Sequence, residues 1–87
     1  MSAYKDFPKG DARRYFTVLL AAHDLGEKAT LHYISQRVEC TRAEAQRALE
    51  SAVDQFGVDI RKDGPVYSIV SWGVLNQDAV RTLVVTK

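Results

Sequence analysis

The chain is poor in the features that staple small proteins or anchor them to membranes. It has a single cysteine, Cys40, so an internal disulfide and a multi-cysteine zinc site are both excluded. Its longest wholly apolar stretch, residues 18–22, is far below the ~20 residues that cross a bilayer. Met1 is followed by polar residues rather than the apolar core of a secretory signal, and the expected location is the cytoplasm. Neither sign of charge dominates, because 12 Lys and Arg face 11 Asp and Glu, leaving a formal +1. Domains that bind nucleic acid through a diffuse positive field have a pI above ~9, so binding by this chain requires cations gathered on one face. Glycine-rich phosphate loops, metal-ligand clusters and nucleophile motifs are also missing, and an enzyme is not expected.

What is present is ordinary globular material: 87 residues, 46% apolar and 26% charged, enough for one core and one domain. Residues 1–10, MSAYKDFPKG, hold Pro8 and Gly10 without a sustained period and read as a leader that folds back through Tyr4 and Phe7. The single domain is expected over 11–87. Ala12, Tyr15, Phe16, Leu19, Leu20 and His23 fall at helical spacing on one face, with Asp11 as N-cap and Gly26 as stop, which predicts a helix over 12–25. A second, eight-residue helix follows Thr30, with Leu31, Ile34 and Val38 inward.

Thr41, Arg42, Ala43 and Glu44 form a Thr-x-x-Glu capping box, in which the Thr hydroxyl and the Glu carboxylate each accept the other residue's amide. A third helix must begin at Arg42. Its stripe is Ala45, Ala48, Leu49, Ala52, Val53 and Phe56, and Gly57 ends it. Only Glu39, Cys40 and Thr41 separate the second and third helices, and Cys40 is expected to be a small core residue of that turn rather than a redox switch. The period then changes to two. Val58 and Ile60 alternate with polar residues, and a β-rich run covers 66–70, so a hairpin is expected with its tip at Asp63 and Gly64. After Trp72, Asn76 caps a last segment with Ala79, Val80, Leu83 and Val84 on one side. Helix is expected there, although Thr82, Val84, Val85 and Thr86 suit a strand equally well.

This order, mainly α with a small β-hairpin wing (α-α-α-β-β plus a short C-terminal element), resembles the winged helix-turn-helix family of DNA-binding domains. The family's pattern asks for apolar residues where Ile34, Val38, Cys40, Ala45 and Ala48 stand and a small one at Ser35. Two features depart from it: Glu39 stands where Gly is usual, and Ala45 and Ala48 are smaller than the usual buried residues. The resemblance implies that the third helix lies in the major groove of duplex DNA and that a basic wing, Arg61 and Lys62, follows the backbone. On the outward side of that helix stand Arg42, Ala43, Gln46, Arg47 and Glu50. Arg reads the N7 and O6 edge of guanine and Gln the N6 and N7 edge of adenine, which makes Arg47 and Gln46 the candidate base readers. Thr41 and Arg42, at the positive end of the helix, suit a phosphate.

The expectation is therefore a small transcriptional regulator that binds duplex DNA sequence-specifically, with no cofactor and no small-molecule ligand. A homodimer is expected because one module touches few bases. Two plainer readings compete. Arg42, Gln46 and Arg47 can be a solvated face, with Arg47 pairing with Glu44 or Glu50 and Arg42 with Glu39 or Gln46, and a winged helix can instead dock a protein. His23 is expected in the core or at its boundary and His32 in solvent; Tyr67 and Trp72 are expected core aromatics.

Overall fold

Seven consecutive residues of one helix, Phe16 to Ala22, are buried, which happens only when a helix is covered on all sides. The computed structural model, which describes residues 4–85, shows how this arises. Helix α1 (Arg13–Leu25) is packed by α2 (Leu31–Val38), α3 (Arg42–Phe56), strand β2 (Val66–Ser71) and α4 (Gln77–Val85), with strand β1 (Asp59–Asp63) completing the hairpin. The expected single apolar face of α1 was therefore too narrow. Residues 18–22, apolar without interruption, carry the signal of enclosure. A 3₁₀ turn at Tyr4–Asp6 brings Tyr4 and Phe7, both buried, against α1. Met1 to Ala3, Thr86, Lys87 and the side chain of Val85 lie outside the described residues.

Local chemistry sets each boundary. The Arg13 amide donates to Asp11 Oδ1 at 2.9 Å, and α1 starts at Arg13, one residue later than expected, with Ala12 rather than Asp11 in the N-cap position. The Tyr33 amide donates to the Thr30 hydroxyl and starts α2. The Thr41–Glu44 capping box is formed, both reciprocal bonds being 3.0 Å long. Gly57, in the left-handed region at φ 68°, ends α3. Asn76 Oδ1 accepts from the Ala79 amide and caps α4, which settles the helix-or-strand alternative as helix for the described residues.

The two strands form an antiparallel hairpin in which Asp63 pairs with Val66, so the two-residue loop is Gly64 and Pro65, one residue later than expected. Gly64 supplies φ +59° and Pro65 a fixed φ near −65°, the order of a type II′ turn, whose twist matches the flanking strands. Val70 is the extra residue of a bulge, since Ile60 pairs with Ile69 and Asp59 with Ser71. Beyond the hairpin, the Tyr67 amide donates at 2.8 Å to the carbonyl of Ala29, the residue two before α2. That bond ties the hairpin to the entrance of α2.

Several expected core positions are displaced. His23 is exposed and meets the Trp72 ring edge-on, because α1 is enclosed over its middle turns and open at its C-terminal end. Val53 is 44% exposed, lying at the margin of the α3 stripe rather than inside it. On α4, Val80 and Val84 face the core while Ala79 and Leu83 face solvent, so that helix uses a narrower face than expected. Cys40 is only half-buried. No helix among the described residues is long and apolar enough to cross a membrane.

Candidate nucleic-acid interface

The turn between α2 and α3 puts the first two turns of α3 at the surface. Glu39 takes the left-handed conformation (φ 59°, ψ 50°), and its amide and that of Cys40 close the end of α2 onto the carbonyls of Gln36 and Ser35. The Cys40 thiol donates to the Thr41 carbonyl and is pushed up to about 11, first by burial and then by the charge of Glu44. It stays a protonated packing residue near neutral pH.

On α3, Ala45, Ala48, Leu49 and Ala52 are buried, whereas Arg42, Ala43, Gln46, Arg47, Glu50 and Asp54 are exposed, as is Thr41 just before them. At about 100° per residue, Arg42 and Arg47 point to opposite flanks of the outward side, about 140° apart. Gln46 lies nearer the Arg42 flank, its amide 3.5 Å from Glu50. Glu44, the acid of the first turn, is held ionised by the Thr41 amide it accepts.

The Arg42 flank faces the hairpin across a concavity of about 270 Å³, lined among others by Thr30, His32, Arg42, Lys62 and Tyr67. Arg42 Nη2 lies 2.9 Å from His32 Nδ1, and because a guanidinium can only donate, Nδ1 is the acceptor of this bond. The Lys62 ammonium lies 5.4 Å from the centre of the Tyr67 ring. Among the described residues Arg42 forms no ion pair with Glu39, and the Gln46 amide turns to Glu50 instead. The ion pairs within 4 Å among the described residues engage Arg13 with Asp11 and both Arg37 and Arg81 with Asp24, away from the outward side of α3.

Strand alternation separates the two hairpin cations. Lys62 pairs with Tyr67 on the α3 side, whereas Arg61 pairs with Ser68, which lines a different concavity, about 550 Å³, beside Glu27, Asp63 and His23. Arg42 and Lys62 are brought together, and Arg61 is not with them. His32, exposed as expected, and Tyr67, partly buried against the core as expected, also line this concavity. Only the contact across the α2–α3 turn links His32 to Arg42, ten residues on, and no spacing rule announces it.

Comparison with protein-family models, with curated proteins and with solved structures finds no match to this chain.

Proposed function

We propose that this chain is a winged-helix domain that binds duplex DNA sequence-specifically, as a small transcriptional regulator, with α3 in the major groove and the hairpin as the wing. The observation that carries the reading is the meeting of Arg42 and Lys62 across one concavity, where the start of α3 faces the hairpin. A helix entering the groove needs base-reading donors in its first turns and phosphate donors beside them. Gln46 and Arg47 supply the first, Thr41, Arg42 and Lys62 the second, and Ala43 allows close approach. The acids Glu50 and Asp54 stand further along, so the N-terminal half of α3 is the part that enters deepest. Arg61, on the far face of the hairpin, contributes little. The active species is a homodimer whose apolar contact includes the exposed Leu83 of α4.

One observation favours a protein-docking module instead: Leu49, Val53, Ile60 and Tyr67 line a small apolar groove of about 170 Å³ between α3 and the hairpin. Selection of bound sequences from a random duplex pool, followed by affinity measurement across a salt series, separates the two. A shared sequence motif, and affinity falling steeply with salt, is expected for DNA recognition. Replacing Arg47 by Ala should relax preference at one base position, at a cost of ~1–3 kcal/mol. Absence of any enriched sequence overturns the reading.

A further inference from the structure

An α-helix with its side chains is about 10–12 Å across and the major groove about 12 Å wide, so a helix seated there has a phosphate strand along each flank. The wing serves one flank of α3 only. On the opposite flank Lys9, Arg14 and Arg47 come from three separate parts of the chain to line a second concavity, of about 200 Å³, with Tyr4 and Glu44. Arg14 is fixed in place: its Nε donates to the Phe7 carbonyl at 2.8 Å and its guanidinium lies 4.8 Å over the Tyr4 ring, which leaves the terminal nitrogens as donors. Lys9 is exposed at the rim of the same hollow. Glu44, the acid of this lining, already accepts the Thr41 amide, and three cations outweigh it.

We infer that the N-terminal segment and the first turn of α1 form a second phosphate-contacting element, with Lys9 and Arg14 holding the DNA strand on the side of α3 away from the hairpin. The inference rests on the DNA-binding reading of α3 and adds to it a partner for the flank that the wing leaves open. The duplex is then gripped from both sides, by Arg42 and Lys62 on one strand and by Lys9 and Arg14 on the other, with Arg47 reading a base between them. Phosphates are alike for every base, so the contact adds affinity and register without changing the preferred sequence.

The test is a salt series of duplex binding for the full chain, using a duplex chosen from the random pool. Lys9→Gln should lower affinity about three- to tenfold at ~0.1 M salt and reduce the slope of log K against log salt by about 1, and Lys9→Arg should restore both. Lys28→Gln removes the same charge from a site that lines neither concavity and should leave the slope as it is. An unchanged slope for Lys9→Gln, in a parent that binds duplex, overturns this inference alone. A drop as large for Lys28→Gln also overturns it, because net charge would then be the cause. A parent that binds no duplex removes the DNA-binding reading and this inference together.

Discussion

Arg42 Nη2 rests 2.9 Å from His32 Nδ1, joining the first residue of α3 to the second residue of α2 across the turn. A guanidinium held in this way loses less freedom when it meets a phosphate than one swinging in solvent. His32→Ala should therefore weaken duplex binding by about two- to tenfold, the worth of one hydrogen bond. Its unfolding midpoint should hardly move, since His32 is exposed. Titration of a fluorescent duplex, with urea unfolding alongside, checks both halves. Equal affinity in the variant would show that the orientation of Arg42 is immaterial.

Backbone conformation gives two stability predictions of opposite sign. Glu39 is the one non-glycine residue with positive φ among those described, a conformation costing an L-residue roughly 1–2 kcal/mol. Against this, glycine loses more freedom on folding, so Glu39→Gly should stabilise by about 0.5–1 kcal/mol. Gly73 sits at φ +62°, and a Cβ there would run into the backbone of Phe56 and Gly57, where the Val74 amide donates to the Phe56 carbonyl. Gly73→Ala should cost about 2–4 kcal/mol. Denaturant midpoints of the two variants should lie on either side of the parent.

The elements that were legible in the sequence are those announced by local chemistry: Thr30, Thr41, Gly57 and Asn76 each cap or end a helix where the one-dimensional pattern puts them. Enclosure was harder to read. A helix stripe assumes one covered side, but α4 returns over α1, which buries residues 16–22 all round and leaves Leu83 outside. The candidate interface was half visible. Arg42, Gln46 and Arg47 follow from the capping box and the helical period, whereas His32, Lys9 and Arg14 reach the site through tertiary contacts that no spacing encodes. Strand alternation, available in the sequence, already separates Arg61 from Lys62 once the hairpin register is known.

Acid should unfold the protein through its capping and pairing carboxylates. Hydrogen bonds from the Arg13 side chain and backbone hold Asp11 down at about 2. The Arg81 side-chain bond lowers Asp24, helped by the charges of Arg81, Arg37 and His23, and the Thr41 amide lowers Glu44. A carboxyl lowered in the folded state contributes stability that is complete above its ordinary value, near 4, and is lost as pH falls through the folded value. Stability should thus be level from pH 7 to about 5 and decline between about 4 and 2. Asp24→Asn should cost about 0.5–1 kcal/mol at neutral pH and flatten that decline, since it removes the α1–α4 ion pair with Arg81. Urea unfolding at stepped pH measures this; a variant that declines as steeply as the parent would show that Asp24 has no part in it.

Self-association is predicted from the outer side of α4. Val80 and Val84 point into the core, yet Leu83 on the same helix is 50% exposed, and Val74 just before it is 82% exposed. Single apolar residues at a surface are common, but this helix follows the hairpin and presents its leucine away from the body of the domain. Pairing such helices around a two-fold axis would cover both copies of Leu83 and present two α3 helices to successive major grooves. The parent should sediment as a dimer at micromolar concentration. Leu83→Asp should be monomeric and folded, with weaker binding to its preferred duplex, because an exposed position accepts a charge without opening the core. Val84→Asp, at a fully buried site on the same helix, should instead unfold the chain, since an unpaired buried charge has no compensation. A parent that stays monomeric throughout the micromolar range would reject the pairing, as would a Leu83→Asp variant that loses its fold rather than its partner.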